Sequence, residues 1–385
     1  AANFTNFKPH KSYTIPLYKM RKIGLDILRG LAVILVLFRH SDLNNNIIKH
    51  FGWLGVDLFF VLSGFLISNL LFTEHKKNKK IRIKRFLTRR AFKIFPPFYF
   101  FMFITLLFNF LVKDNSNIEF QNFLSELFYL QSYFPRIWNH TWTLAVEEHF
   151  YLIFSVTLFI ISRKQLLEKR YIIISSLVML LILSFVMRFY ISYPHRNDDF
   201  FGFMQTHLRS DGILIGVLLS YLVNFTKLTY LFKQRKWKLI CISILLLTPG
   251  FYFDGGGFFM NTAGLSLVNI GFSIMVLFSL DIDEYFEQSL LPYFKVPLKI
   301  LGFIGVNSYS IYLWHLNSKS ISYSIFSIDS NLITPMYITI SIVLGIIMSY
   351  LIEKPSLKIR DYTFNKITLY NNKYRSLGSF FKFRK

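Results

Sequence analysis

The sequence predicts an all-α membrane protein, a polytopic bundle of about ten transmembrane helices with both termini in the cytoplasm. The 385-residue chain is 53% hydrophobic and 19% aromatic, with a mean hydropathy of +0.41, which is too apolar for a soluble domain of this size. Apolar runs of spanning length recur along the chain, and the connections between them alternate between cation-rich and cation-poor. Together these observations predict the bundle and its orientation.

Ten apolar runs are the predicted spans. They cover residues 23–42, 52–73, 92–112, 147–162, 171–191, 211–225, 238–253, 263–280, 299–317 and 335–352. The sixth run is short enough to be tilted or broken. The longest connection, 113–146, carries an aromatic stretch at about 120–133 that is predicted to form a short interfacial helix.

The Lys and Arg content of the connections predicts which side of the membrane each one faces. Basic residues crowd into every second connection, at 8–22, 76–90, 163–170, 227–238 and after Lys354. Because cations favour the cytoplasmic side, both termini are predicted to lie there. The expected organisation is a basic N-terminal segment 1–22, a membrane domain 23–353, and a basic tail 354–385 on the anionic inner leaflet.

Charge and cysteine content exclude several classes of function. A formal net charge of +23 would indicate nucleic-acid binding in a soluble chain, but here the cations lie between spans and act as topology signals, so no nucleic-acid partner is expected. Cys241 is the only cysteine, which excludes an internal disulfide, and no metal site is predicted. The polar N-terminus has no apolar region with a cleavage site, so we expect the first span to serve as the anchor.

The first apolar run carries Asp26, Arg29, Arg39 and His40. A charge within a span costs roughly 2.5 to 3.5 kcal/mol on insertion scales, so such residues are functional candidates that face the bundle interior. Arg29 and His40 are eleven positions apart, which places them on nearly the same helix face, ~16 Å apart along the axis. Alternatively, Asp26 and Arg29 cap or snorkel at the interface and His40 merely ends the helix.

Polar residues at the predicted outer ends of the spans form a second candidate set. They are His40, Asp57, Glu147, Glu148, Arg209, Asp211 and His315. Their common depth is unexpected for scattered interfacial charges, since the cations of the chain favour the inside. The sequence therefore predicts a polar site near the outer face.

Cations at the start of the third span form a third set on the predicted inner side, near Asp26 and Arg29. They are Arg85, Arg89, Arg90 and Lys93, at helical spacing ahead of two prolines. Arginine forks suit phosphates, so this cluster is a candidate site for the nucleotide part of coenzyme A. Topological charge and binding of anionic lipid are the alternatives, and both interpretations stay open for Arg89, Arg90 and Lys93.

Small residues mark the second run, FGWLGVDLFFVLSGFLIS. They are Gly52, Gly55, Ser63, Gly64 and Ser68. Small side chains let helices approach closely, or leave room for a narrow ligand. Close packing is the commoner explanation.

These motifs, in this order, resemble the acyltransferase-3 family of bacterial integral-membrane O-acyltransferases that modify envelope glycans. The resemblance rests on LDILRG with RH in the first run, FGWLGVDLFFVLSGFLIS, RFLTRRAFKIFPPFY, WTLAVEEHFY, RSDGILIG, SYSIYLWH and EKP. His149 stands where the family usually has Gln, and Asn317 follows His315 where an apolar or Pro-containing run is common. These departures affect fine substrate details. Some relatives carry a fused esterase-like domain, and we expect this chain to be of the stand-alone type.

The resemblance implies an enzyme of the bacterial inner membrane that moves an acyl group from cytoplasmic acyl-CoA to a hydroxyl of an envelope polysaccharide or glycolipid outside. We expect the acyl group to be acetyl. His40 would be the general base or a transient acyl carrier, Glu147 would orient it, and Arg29 would hold the donor. The implied acceptor-binding residues are Asp57, Trp142, Glu148, Arg209, Asp211, Trp314 and His315. The implied donor-binding residues are Arg29, Arg85, Arg89, Arg90 and Lys93.

Two other classes of protein compete with this interpretation. A secondary transporter or exporter also carries charges inside the membrane, but it should show repeat symmetry or interrupted helices, neither of which is visible in the sequence. A structural or lipid-organising protein would not need Arg29 and His40 on one face. The expected partners are therefore membrane lipid, acyl-CoA and a glycan acceptor.

Overall fold

The computed structural model describes residues 22–42, 48, 51–112, 119–196, 203–253, 255–288, 292–325 and 332–364, and every regular element within them is helical. The helices of eight residues or more are α1 (Ile23–His40), α2 (Gly55–Asn78), α3 (Ile83–Val112), α4 (Phe120–Leu127), α5 (Trp142–Arg163), α6 (Arg170–Ser192), α7 (Asp211–Phe225), α8 (Leu228–Leu247), α9 (Leu265–Gln288), α10 (Pro292–Val306), α11 (Ser308–Ile325) and α12 (Ile333–Met348). The predicted all-α fold is confirmed. The predicted basic segments at 1–22 and 354–385 lie largely outside the described residues.

Shorter elements connect or extend these helices. They are the 3-10 turns Leu166–Glu168 and Tyr193–His195, the single-turn helices Thr206–Arg209 and Pro249–Tyr252, and the π-helical segments Met260–Gly264 and Ser349–Glu353. The first π-helical segment runs into α9. The second continues α12 into a helix that reaches residue 364.

Six helices in the described part of the chain are long and apolar enough to cross a membrane, or eight if each of two bent pairs counts as one span. Each of the ten predicted runs overlaps at least one of the helices. The predicted ten spans and the observed eight differ for two reasons. Helix α1 carries Asp26, Arg29 and Arg39 within 18 residues, which is too many charges for it to count as an apolar span. Helices α7 and α8, which were predicted as two spans, form one pair bent by 117°. The chain is a multi-pass membrane protein, and the orientation of its termini stays a prediction.

The predicted ninth span, 299–317, is wrong as a continuous helix. It is broken at Asn307, where α10 and α11 meet at an angle of 80°. Asn307 is fully buried and its Nδ2 donates to the carbonyl of Phe303 at 2.8 Å. Hydropathy counts apolar residues but does not report such a break. The break brings Gly305 and Ser308 to the wall of a buried cavity.

The small residues of α2 serve close packing, as predicted. A Cβ added to Gly64 would lie 2.0 Å from the carbonyl oxygen of Ile213, and one added to Gly216 would lie 2.2 Å from that of Val61. The backbones of α2 and α7 are therefore in contact, which only glycine at these two positions permits. Ser63, by contrast, lines a cavity and donates to Glu147, so room for a narrow ligand stays a prediction at this position.

Helix α3 begins at Ile83 and continues through Pro96 and Pro97. Proline has no N–H, so the carbonyl of Phe92 loses the partner that residue 96 would supply. Ser356 Oγ donates to that carbonyl at 2.6 Å, and Tyr309 Oη donates to the carbonyl of Ile94 at 2.9 Å. These two hydroxyls attach the C-terminal helix and α11 to the proline turn.

The predicted interfacial helix between the third and fourth spans is present as α4, which ends at Leu127, earlier than expected. Tyr129 then adopts a left-handed conformation with φ 58°, which turns the chain back toward α5. Its ring packs on Phe98, with centroids 4.7 Å apart. The connecting segment 119–141 is thereby held against the bundle.

Candidate active site

A vestibule of about 510 Å³ opens among α1, α2, α3 and the C-terminal helix. Its charged lining residues are Lys22, Asp26, Arg29, Lys93, Glu353 and Lys354. Arg29 Nη1 lies 3.3 Å from Asp26 Oδ1, and Lys93 Nζ lies 3.8 Å from Glu353 Oε1. Four cations against two carboxylates leave this space net positive, as a site for an anionic ligand requires.

A second, buried cavity of about 100 Å³ lies next to the vestibule. Arg29 and Lys93 line both spaces, so the vestibule and the buried cavity meet at these two side chains. Arg90, Glu147 and Glu148 also line the buried cavity. Charged side chains therefore line both of these adjoining spaces.

Glu147 is held firmly in the buried cavity. Its Oε1 accepts a hydrogen bond from Ser63 Oγ at 2.7 Å, and its Oε2 accepts one from Tyr151 Oη at 2.6 Å. Arg90 places its guanidinium 4.8 Å from the centre of the Tyr151 ring. Glu148 Oε1 is buried, and no described residue hydrogen-bonds to it. Both carboxylate oxygens of Glu147 thus have partners other than His40. The predicted pairing of Glu147 with His40 stays a prediction.

The structure divides the four predicted donor-binding cations of α3 into two pairs. Arg90 and Lys93 line the buried cavity. Arg85 and Arg89 instead lie 5.9 and 5.8 Å from the ring of Phe364, and Arg89 Nη2 is 4.0 Å from Asp361 Oδ1. The latter pair therefore contacts the C-terminal helix outside the cavities.

Three histidine rings meet beyond the buried cavity. The ring centroids of His40 and His315 are 5.0 Å apart, and those of His140 and His315 are 5.1 Å apart. His40 and His315 were both predicted near the outer face, but common depth alone did not predict that their rings would meet. His140 was missed, although it lies only two residues before Trp142 in the WTLAVEE motif. No group of three or more His, Cys, Asp or Glu side chains in the described ranges is arranged to hold a metal ion.

Tyr312 and Thr143 separate the histidines from the buried cavity, whose wall they form. Tyr312 Oη and Thr143 Oγ1 are 2.7 Å apart, and they lie 2.8 and 3.1 Å from the carbonyl oxygen of His140. Burial lowers the pKa of His140 to about 3, so its ring is neutral at physiological pH. His140 thus presents a neutral imidazole next to two hydroxyl groups that line the buried cavity.

The remaining predicted charged residues form a separate buried network. Arg209 Nη2 is 2.9 Å from Asp57 Oδ1, and its guanidinium lies 5.6 Å from the ring of Trp142. Arg188 Nη1 is 2.5 Å from Asp211 Oδ2. Arg188, in α6, is fully buried and was missed, although it is the only charged residue in the fifth apolar run. None of these residues lines either cavity. The contact with the acceptor that was predicted for Asp57, Trp142, Arg209 and Asp211 stays a prediction.

Trp314 also lies away from the cavities. It is only 5% exposed, and its ring packs edge-on against Phe101 with centroids 5.2 Å apart. This position is that of a core residue on the helix that carries His315. A direct role in acceptor binding stays a prediction.

The profile of the acyltransferase domain family matches residues 22–354, which is most of the chain. This range contains the three histidines and every residue that lines the two cavities except Leu357. The chain belongs to the acyltransferase-3 family. The resemblance inferred from the sequence motifs is therefore confirmed. The O-acetyltransferase OatA of Staphylococcus aureus (strain NCTC 8325 / PS 47) is 26% identical over 320 residues, which are 76% of this chain and 49% of the relative.

A putative O-acetyltransferase of Staphylococcus aureus (strain COL) is 30% identical over 342 residues, which are 83% of this chain and 54% of the relative. The chain spans about half the length of the relatives it matches. No solved structure matches it. The comparisons thus establish the family, which is one of integral-membrane acyltransferases. The similarity to the two relatives concerns only the half of each that this chain covers.

Proposed function

We propose that the protein is a membrane O-acyltransferase that moves an acetyl group from cytoplasmic acetyl-CoA to a hydroxyl of an envelope glycan at the outer face. The observation that carries the proposal is the meeting of the vestibule and the buried cavity at Arg29 and Lys93. Acetyl-CoA has a charged nucleotide and a long uncharged arm, so it needs a positively charged space for the nucleotide followed by an adjoining space for the arm. The names of the relatives support acetyl as the group transferred.

On the donor side, the vestibule would hold the phosphates of coenzyme A. Arg29 and Lys93 then stand where the pantetheine arm enters, and Arg90 lines the buried cavity but not the vestibule. Cations at this depth stabilise the negative charge that develops on the thioester carbonyl during attack. Asp26 holds Arg29 in place, and Glu353 holds Lys93, through the ion pairs described above.

On the acceptor side, His40 is the proposed general base. Its imidazole takes the proton of the acceptor hydroxyl as the oxygen forms a bond to the acyl carbon. The carbon–sulfur bond then breaks, and the thiolate of coenzyme A leaves and receives that proton. Tyr312 and Thr143 lie between the buried cavity and the histidines, so the reacting atoms are proposed to meet at these two residues.

A transporter is the second candidate, because the structure has the interrupted helices that the sequence did not reveal. Two helix pairs are bent by 117° and 80° at short breaks, and broken spans are typical of transporter substrate sites. A transporter would move its substrate without changing it. The two candidates therefore differ in whether a covalent acetyl ester appears on the glycan.

The first experiment supplies radiolabelled acetyl-CoA to the cytoplasmic face of inverted vesicles and measures labelled glycan. We expect label in an alkali-labile ester with the wild type and none with His40→Ala at equal expression. Full transfer by His40→Ala would refute the role of His40. Absence of label with every acyl-CoA and glycan offered would refute the acyltransferase proposal for this chain and favour transport.

The donor site is tested by a matched pair on α3. Arg90→Gln should raise the KM for acetyl-CoA about tenfold or more, because a charge-assisted contact in a cavity is lost. Arg85→Gln should leave it unchanged, because Arg85 lies outside both cavities against Phe364. Equal effects of the two substitutions would mean that these cations act through membrane charge and not through donor binding.

A further inference from the structure

The hydrogen bonds of His140 fix which of its ring nitrogens carries the proton. Nε2 lies 3.1 Å from the carbonyl oxygen of Leu313, and a carbonyl only accepts, so Nε2 carries the hydrogen. The ring is neutral, and Nδ1 therefore bears a lone pair. Nδ1 is buried, and no described residue donates to it.

His315 has the same arrangement with the nitrogens exchanged. Its Nδ1 is 2.5 Å from the carbonyl oxygen of Tyr312 and so carries the hydrogen, which leaves the lone pair on Nε2. Nε2 is likewise buried, without a donor among the described residues. His315 is fully buried and His140 is 4% exposed, whereas His40 is partly exposed. Two buried acceptors therefore lie behind one accessible imidazole.

We propose that Nδ1 of His140 and Nε2 of His315 form a hydroxyl-binding site that takes the sugar hydroxyls of the acceptor, with His40 at its accessible side. The inference deepens the proposed function and rests on it for the identity of the reaction. A buried acceptor without a donor is costly, and a ligand hydroxyl removes that cost. A site built to accept hydrogen bonds from hydroxyls also discriminates against analogues that lack them.

The chemistry of the cluster favours hydroxyls over other ligands. An anion would be repelled by two lone pairs, and a carbonyl ligand has no hydrogen to donate. A cation is disfavoured because no group of three or more metal-binding side chains in the described chain has metal-site geometry. A polyhydroxylated ligand is the class that supplies several donors at once. His140 becomes, on this proposal, a residue that contacts the acceptor.

Asparagine and glutamine substitutions separate this role from a structural one. Asn carries its amide near the position of ring Nδ1, and Gln carries it near Nε2. At position 140, His140→Asn keeps an acceptor atom near Nδ1 and loses the bond to Leu313, whereas His140→Gln keeps that bond and loses the acceptor. At position 315 the assignments are reversed, because the structural bond there uses Nδ1.

The readout is the KM for the glycan acceptor, with thermal stability measured in parallel. The proposal predicts that His140→Gln and His315→Asn raise the acceptor KM about tenfold more than His140→Asn and His315→Gln, while the latter two lose more thermal stability. The KM for acetyl-CoA should be unchanged in all four. The opposite order of acceptor KM would overturn the proposal, because it would show that only the structural bonds matter.

A binding measurement tests the site without turnover. Protein labelled with ¹⁵N-histidine is titrated with methyl glucoside and, as a control, with its fully O-methylated counterpart, which has no hydroxyls. We expect the signals of the two unprotonated nitrogens, assigned with His140→Gln and His315→Asn, to shift with the first ligand only. No shift at saturation would overturn the proposal. A shift without any acetyl transfer would keep the hydroxyl site and refute the proposed reaction.

Discussion

Glu126 is a buried carboxyl group that organises the connection between α3 and α5. It is fully buried, and its Oε1 accepts hydrogen bonds from the backbone N–H groups of Ile137 and Trp138 at 3.1 and 3.3 Å. Thr141 Oγ1 donates to the same oxygen at 2.9 Å. Oε2 is buried, and no described residue hydrogen-bonds to it. The charge state of this one group therefore affects the whole segment.

Burial raises the pKa of Glu126 from 4.5 to about 7, against the opposing effects of its three hydrogen bonds and of Arg136. The folded segment thus binds a proton more tightly than the open one, and its stability falls as pH rises. Taking 4.5 for the open segment, linkage gives a loss of about 2.5 kcal/mol, roughly 70-fold in the opening equilibrium, between pH 5 and pH 8. Above pH 8 no further loss is expected from this group.

Hydrogen exchange measures this opening directly, because the amides of Ile137 and Trp138 are the donors to Glu126. Protein in nanodiscs is exchanged at several pH values, and the rates are corrected for the intrinsic pH dependence of exchange. We expect protection of these amides to fall by nearly two orders of magnitude from pH 5 to pH 8. Amides in the middle of α2 serve as the internal reference.

The matched variant is Glu126→Gln, which keeps an acceptor oxygen and cannot ionise. Its protection at 137 and 138 should be independent of pH over the same range, and at pH 8 it should equal or exceed that of the wild type. A pH profile that is the same in wild type and variant would refute the reasoning. So would protection in the wild type that rises with pH, since that requires a carboxylate stabilised by folding.

Two further predictions concern stability. Arg188→Met should destabilise the fold by about 3 to 5 kcal/mol, because it removes the ion-pair partner of the buried carboxylate of Asp211. In thermal unfolding, the double variant with Asp211→Leu should recover much of that loss, and a double variant less stable than the single one would contradict this. Gly64→Ala should lower the yield of folded protein or prevent folding, because the added Cβ would lie 2.0 Å from a backbone oxygen. Gly302→Ala should be tolerated, because the nearest atom to its Cβ would be 3.6 Å away. Equal yields of folded protein from the two variants would contradict this prediction.

The sequence was sufficient for the all-helical fold class and for the family. Apolar length places a helix in each of the ten runs, because only a helix satisfies its own backbone in lipid. The motifs identified the family because seven of them occur in the expected order. The sequence also predicted that His40 and His315 lie at the same end of the bundle, because both residues end an apolar run on the same predicted side.

Lateral arrangement within the membrane was not predictable from depth. Arg85 and Arg90 look equivalent in the sequence, yet one contacts Phe364 and the other lines a cavity, because five positions along a helix change the face by more than a quarter turn. Glu147 and His40 were placed at one depth, but Glu147 pairs with Ser63 and Tyr151. Glu147 also lines the same cavity as Arg90, although the two were predicted near opposite faces, so one-dimensional patterns leave both depth and neighbours open.

The histidine cluster also shows why spans alone do not define the site. His40 comes from α1 and His315 from α11, but His140 comes from the connecting segment. Thr141, the next residue, is fixed by Glu126 and by Gln131, whose Nε2 donates to its carbonyl at 3.1 Å. A change that loosens this segment must therefore move His140 relative to His315 while leaving the helices intact. The geometry of the histidine cluster consequently depends on hydrogen bonds of the connecting segment 119–141, which is the part of the chain where hydropathy carries the least information.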